Sequence, residues 1–134
     1  MNKMIESKKP RKQRKWVYEA PLHIKRKLIS AHLSNDLNKK YKRNSFPLKK
    51  GDEVQVMSGS FKKRSGKIDK INLKKQRVFI QGITRKTSAG TEKMVSFHAS
   101  KLKILNFNLS DKRREKVLSK KIPVKEETKV AAIP

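Results

Sequence analysis

The chain has 134 residues, of which 37 are Lys or Arg and 11 are Asp or Glu, so its formal net charge is +26. It contains no cysteine, which excludes a disulfide scaffold and a thiolate metal site. No apolar run approaches the roughly 18 residues of a membrane span, and the basic N-terminus lacks the apolar segment of a signal peptide. This balance predicts a soluble intracellular protein whose partner is a polyanion, with nucleic acid the first choice.

Basic charge is densest in the first 50 residues, which carry 16 Lys and Arg against three acids. The run from Lys8 to Lys15 has no apolar periodicity. We therefore predict that residues 1–20 form an extended basic arm that becomes ordered against phosphates. Trp16 and Tyr18 follow, and they either stack on bases or anchor the arm to the domain.

Residues 21–48 are expected to form two short helices that lie on RNA. Pro21 can open a helix, and the apolar residues from Leu22 to Leu33 follow with partial helical periodicity. Ser34 can N-cap a second helix that ends near Lys42. Both helices are short and highly charged, so each is expected to place one apolar edge against the domain.

Residues 49–106 change to the alternating apolar pattern of β-strands. Five short strands in so small a unit predict a closed or nearly closed barrel, which removes exposed strand edges. A slip in the alternation between Ile68 and Ile71 predicts a bulge. The expected inward set is Val54, Val56, Ile68, Ile71, Val78, Ile80, Val95, Phe97, Leu102 and Ile104.

Residues 107–134 are predicted to form a C-terminal helix and a tail. Ser110 is the expected N-cap, and the helix should end near Lys121 with its basic face toward RNA.

Little in the sequence indicates catalysis or metal binding. The three histidines (23, 32 and 98) are scattered, so we expect no metal site and no cofactor. Asp52 and Glu53 point apart in a strand, which favours turn formation and pairing with a nearby Lys over acid–base catalysis, and we expect no enzyme activity.

A family resemblance narrows the nucleic-acid interpretation. Residues 50–68 resemble a KOW motif, which is a strand, a glycine-containing loop and a second strand. The preceding segment resembles the one found before this motif in the archaeal and eukaryotic family of large-subunit ribosomal proteins called L26 in eukaryotes. That upstream match is carried by Ala20–Ser30, Leu33, Ser34, Leu37, Lys40, Tyr41 and Arg43–Ser45. One departure is Lys63, where the family usually has glycine.

The resemblance, which covers roughly residues 14–118, has specific implications for fold and function. It implies a mainly-β fold, a small SH3-like barrel with short N- and C-terminal helices and extended basic tails. It implies binding to large-subunit rRNA, mainly the 5′ domain, near the mouth of the peptide exit tunnel, and a role early in subunit assembly. Expected partners are neighbouring ribosomal proteins and nascent-chain factors at the exit tunnel. We expect a cytoplasmic protein, assembled through the nucleolus if eukaryotic, with no membrane partner and no homo-oligomer.

The candidate RNA-binding residues are cationic or can stack on bases, and they lie in the arm, the helices and the basic loops 62–67, 74–77 and 84–93. They are Lys8, Lys9, Arg11, Lys12, Arg14, Lys15, Trp16, His23, Lys25, Arg26, Lys27, Arg43, Lys62, Lys63, Arg64, Lys67, Lys74, Lys75, Arg77, Arg85, Lys86, Lys112, Arg113 and Arg114. The alternative is a KOW-containing transcription or chromatin-associated protein. The transcription factor is disfavoured because residues 1–48 are too basic and too poor in apolar residues to form a polymerase-contacting domain. The chromatin protein is disfavoured because it would not need the upstream segment that resembles the ribosomal family.

Overall fold

Seven strands and four short helices make up the protein in a computed structural model that describes residues 7–119. The helices are α1 (Pro10–Glu19), α2 (Leu22–Leu28), α3 (Asn35–Tyr41) and α4 (Lys112–Ser119). The strands are β1 (Ser30–Leu33), β2 (Ser45–Pro47), β3 (Glu53–Val56), β4 (Ser65–Asn72), β5 (Arg77–Lys86), β6 (Glu92–Phe97) and β7 (Leu102–Asn106). A 3₁₀ turn at Ala99–Lys101 leads into β7. The strands form one mixed sheet in the order β2-β1-β7-β3-β4-β5-β6, which confirms a mainly-β, barrel-like domain.

The five strands predicted between residues 49 and 106 are all present, as β3 to β7. The β4–β5 register shifts between Ile68 and Lys70, which confirms the bulge. Eight of the ten predicted inward side chains are buried, while Ile71 and Val95 are half-buried and pack against the same cluster. Alternation along the strands was therefore a sufficient guide to this part of the core.

The prediction of helix as far as Leu33 is wrong, because residues Ser30–Leu33 form β1. This strand pairs antiparallel with β2 and parallel with β7. Ile29, Ala31 and Leu33 are buried and lie two residues apart, as strand geometry requires. Ile29 and Leu33, combined with Leu22 and Leu28, also fit a helical spacing, so these apolar residues are compatible with either structure. Residues 21–48 thus contribute two strands to the sheet as well as two helices.

The expected extended conformation of the arm is also wrong, since Pro10–Glu19 is helical. Proline stands at the first helical position and the following Arg, Lys and Gln residues are good helix formers. The helix ends at Ala20, where the following Pro21 disfavours helical geometry. No residue of α1 is fully buried, and Trp16 and Val17 are half-buried, so helix propensity contributes much of the stability of this element and packing contributes less.

The predicted N-cap residue is confirmed for α3 and wrong for α4. Ser34 N-caps α3, where its Oγ accepts a hydrogen bond from the Leu37 N–H at 3.4 Å. At α4 the cap is Asp111 rather than Ser110, because Asp111 Oδ1 accepts from the Arg113 N–H at 3.0 Å. The predicted continuation of this helix to Lys121, the C-terminal tail and residues 1–6 of the arm lie outside the described residues.

Backbone conformation in the KOW segment depends on particular residues. Gly51 has a φ of +86°, and a Cβ there would lie 2.6 Å from Asn108 Nδ2. Gly66 lets β4 approach β5, since a Cβ would lie 2.7 Å from Ile80 Cγ2. Lys63 also has a positive φ, of 70°, at the position where the family usually has glycine. No helix within residues 7–119 combines the length and apolarity needed to cross a membrane.

Candidate nucleic-acid interface

The loop between β3 and β4, residues 57–64, which we call the KOW loop, is held by hydrogen bonds of its own backbone. The Lys63 N–H donates to the Val56 carbonyl at 2.9 Å, and the Lys62 N–H donates to the Gly59 carbonyl at 3.0 Å. The Arg64 guanidinium lies 5.4 Å from the centre of the Phe61 ring, within cation–π range. All three cations, residues 62–64, are exposed. The loop therefore presents three adjacent positive charges from a defined backbone.

Beside this loop is a hollow of about 230 Å³ that we call the loop hollow. The predicted residues Arg77 and Arg85 line it, together with Phe61. His98 and Lys101 line it too, although they were not among the candidate RNA-binding residues. The described residues that line the loop hollow include no Asp or Glu, so its electrostatic character is wholly cationic.

Helices α2 and α4 bring a second set of predicted residues together, across what we call the α2–α4 groove. His23, Arg26 and Lys27 of α2 and Arg113 of α4 line this groove, although some ninety residues separate the two helices in the chain. Its base is formed by residues 46–49, in and after β2. The fold thus combines two basic segments that the sequence presented as independent.

Most predicted contacts are available at the surface. Of the 24 candidate residues, 20 are exposed, and Trp16 and Arg43 are half-buried. Trp16 and Tyr18 lie two residues apart in a helix, so they face different directions. Tyr18 is 83% exposed. The two aromatic side chains therefore do not form one stacking surface.

Arg114 is the clearest departure from the predicted interface, because its side chain is buried. Its Nη1 donates to Asp52 Oδ1 and its Nη2 donates to Asp52 Oδ2, each at 2.6 Å. The same two nitrogens donate to the carbonyls of Asn108 and Pro47, at 2.9 and 3.2 Å. All four N–H bonds of the two terminal nitrogens are thus used within the protein, and Arg114 is a structural residue. Asp52, expected to pair with a nearby Lys, instead pairs with this distant Arg.

Lys25 is the second predicted RNA-binding residue whose side chain is unavailable to RNA. It is buried, and its Nζ donates to the Tyr18 carbonyl at 2.8 Å, near the end of α1. The carbonyls of the last helical turn lack partners within the helix, and a lysine ammonium satisfies one of them here. Lys25 thus connects α1 to α2.

His98 and Lys101 are functional candidates that sequence reasoning missed. Lys101 was treated as part of a strand, and only the 3₁₀ turn before β7 brings it to the loop hollow. His98 caps that turn through its Nδ1, which accepts from the Ser100 N–H at 3.3 Å. Their separation in the chain from the KOW loop left no local signal.

Asp111, next to the α2–α4 groove, has a carboxyl group whose pKa is lowered. A hydrogen bond from the Lys49 side chain, at 3.2 Å, and a backbone hydrogen bond from Arg113 lower the pKa of Asp111 below its usual value of 3.8. The same contact partly neutralises Lys49. Within residues 7–119 no group of three His, Cys, Asp or Glu side chains could hold a metal ion.

A KOW strand–loop–strand within a barrel-like, strongly basic domain defines a protein of KOW type. Residues 7–121 match the model of the family described as ribosomal proteins L26 of eukaryotes and their L24-type counterparts of archaea. The chain belongs to this family of ribosomal proteins.

Curated archaeal relatives agree with that assignment. The chain is 41% identical over 117 residues to "Large ribosomal subunit protein uL24" of Korarchaeum cryptofilum, covering 87% of this chain and 89% of the relative. Proteins of the same name from Methanosphaera stadtmanae and Pyrobaculum islandicum are 40% and 42% identical. The aligned regions cover 87% and 84% of this chain, and 99% and 91% of those relatives.

Proposed function

We propose that the protein is a structural constituent of the large ribosomal subunit that binds rRNA. The observation that carries the proposal is the surface of the fold, where 20 predicted RNA contacts are exposed on a chain whose net charge is +26. Its archaeal relatives are named as proteins of the large ribosomal subunit, which supports the same assignment.

Electrostatics supplies most of the binding in this proposal. Each phosphate neutralised by Lys or Arg releases counterions, so the logarithm of the binding constant falls with the logarithm of salt concentration, by roughly 0.7–0.9 per contact. Phosphate contacts position a protein without reading sequence. Selectivity therefore comes from RNA shape, which the loop hollow and the α2–α4 groove can match.

The barrel docks through its basic loops, and the N-terminal third makes a second contact. The exposed cations of α1 support that second contact, since none of its side chains is buried against the barrel. We propose the 5′ domain of the rRNA near the peptide exit tunnel as the binding region, neighbouring ribosomal proteins as further partners, and a role early in subunit assembly. The protein would then act on ribosomes in the cytoplasm.

A transcription or chromatin protein is the less favoured alternative. The family match begins at residue 7 and includes the segment before the KOW motif, which such a protein would have no reason to share. Charge does not separate these classes, because all of them are basic.

Sedimentation of cell lysate on sucrose gradients, at low and high salt, tests the proposal. Comigration with large subunits and polysomes that survives high salt is expected for an integral ribosomal protein. Release to the top of the gradient, or migration with chromatin or polymerase, would overturn it.

A further inference from the structure

We propose that the α2–α4 groove binds a single unstacked nucleotide of RNA, with the base on an apolar floor and the phosphate on a cationic rim. The proposal rests on the proposed function, because it assigns a specific part of the RNA to a specific part of the protein. The groove has a volume of about 400 Å³. This lies within the roughly 300–1,000 Å³ of ordinary small-molecule sites.

The floor of the groove is apolar, although only 34% of the residues in the chain are hydrophobic. Pro47, which is half-buried, forms this floor together with the small exposed parts of Phe46 and Leu48, each 6% exposed, and Val117 of α4 forms one wall. Helix α4 contributes Leu118, 2% exposed, to the hydrophobic core, whereas Val117 is left 46% exposed toward the groove. Folding therefore explains the position of Leu118 and leaves the apolar face of Val117 without a partner.

The rim carries cations that the protein does not use internally. Among the described residues, Arg26, Lys27 and Arg113 make no side-chain hydrogen bond or ion pair. By contrast, Lys49 is paired with Asp111 at 3.2 Å, and Arg114 is occupied by Asp52. Three charges therefore remain available at the groove, and Arg26 and Arg113 can each bind a phosphate through two parallel hydrogen bonds.

A nucleotide satisfies both features, and simpler occupants satisfy only one. A phosphate alone would neutralise the rim but leave Val117 and the exposed part of Pro47 in contact with water. An apolar peptide would cover the floor but place three cations beside it without an anion, which is unfavourable. An unstacked base has an apolar face joined to an anionic phosphate, and such bases are the usual targets of specific RNA recognition.

The test is the affinity of the full chain for a transcript of the 5′ domain of large-subunit rRNA, compared with Val117→Trp. The indole should occupy the groove and weaken binding about tenfold, in the range of one lost base contact. The salt slope should not change, because no charge is removed. Leu109→Trp is the matched control, since Leu109 is 44% exposed and lies outside both the groove and the predicted RNA contacts. Thermal melts check that both variants fold.

The outcomes separate the two proposals. If wild-type protein binds the transcript with a steep salt dependence and Val117→Trp binds equally tightly, the groove assignment is wrong while the proposed function stands. If wild-type protein prefers duplex DNA to the transcript, both are wrong.

An NMR titration of wild-type protein gives a second reading that needs no variant. Guanosine or uridine 5′-monophosphate should produce intermolecular NOEs from base protons to the Val117 methyl groups. Ribose 5-phosphate, which lacks the base, should shift only amide signals near Arg26, Lys27 and Arg113. Identical shifts from the nucleotides and from ribose 5-phosphate would overturn the assignment of the base to the floor.

Discussion

Arg114 and Asp52 form a buried, two-pronged ion pair that joins the C-terminal helix to the start of the KOW strand. The two hydrogen bonds are each 2.6 Å long and connect residues 62 positions apart. Asp52 also accepts from the backbone N–H groups of Lys49 and Asn108, at 2.8 and 2.9 Å. The guanidinium lies 5.5 Å from the centre of the Phe46 ring. A carboxylate so enclosed depends on its cation, because burial without a partner is unfavourable.

Arg114→Ala should therefore reduce the free energy of unfolding by about 3–5 kcal/mol, since it leaves an uncompensated buried carboxylate. Arg114→Lys should fall between wild type and alanine, because an ammonium cannot reproduce the two parallel hydrogen bonds. Urea denaturation followed by circular dichroism measures both. Arg113→Ala is the matched control: its neighbouring side chain is exposed, and we expect a change within about 0.5 kcal/mol. Equal effects at the two positions would contradict the structural role of Arg114.

The sequence predicts the secondary structure correctly in segments where a single hydrophobic periodicity dominates. The strands β3 to β7 followed from alternation, because residues such as Val54 and Val56 can be buried together only on one face of a strand. Strand β1 was missed because its apolar residues fit two periods, and only pairing with β2 and β7 selects the strand. Helix α1 was missed because none of its residues is fully buried and only Trp16 and Val17 of the helix are half-buried, so it has little hydrophobic pattern to recognise.

Lys63 provides a test of backbone strain. A side chain at a φ of +70° crowds its own backbone, which costs roughly 1–2 kcal/mol relative to right-handed geometry, whereas glycine avoids this crowding. Lys63→Gly should therefore be more stable than Lys63→Ala by about 1 kcal/mol. Both variants lose the same charge, so their difference in thermal unfolding isolates the Cβ atom. If alanine were as stable as glycine, the left-handed conformation of this loop residue would be wrong.

Asp111 should give a pH dependence of defined sign. Its pKa is lower in the folded protein than the usual 3.8, so its contacts contribute stability above that value. The contribution is lost as the pH falls below 3.8 and through the folded pKa. An NMR titration of the Asp111 carboxyl carbon should show a midpoint below 3.8 in wild type and a higher midpoint in Lys49→Gln. Lys50→Gln, which removes a neighbouring cation paired with Asp69, should leave the Asp111 midpoint unchanged.

The interface was predictable from composition for the residues that stay exposed, because Lys and Arg are seldom buried without a partner. Lys25 and Arg114 are the exceptions, and the partner of each explains why. Arg114 is buried against Asp52, which is distant in the chain. Lys25 is buried against the Tyr18 carbonyl, which is available as an acceptor because it lies in the last turn of helix α1. Neither partner has a signature in the local sequence.

The KOW loop gives the most direct test of how the protein meets RNA. Replacing Lys62, Lys63 and Arg64 with Ala should flatten the salt dependence of binding to the 5′-domain transcript by about two to three units, at roughly 0.7–0.9 per lost phosphate contact. The matched control replaces Lys50, Lys70 and Lys103 with Ala, which removes the same three charges outside the predicted contacts. Its slope should change by less than about one unit, because distant charges are screened at physiological salt. Filter binding across a series of salt concentrations measures both slopes. Equal slopes for the two triple variants would mean that net charge alone drives binding, and that the KOW loop does not contact phosphate.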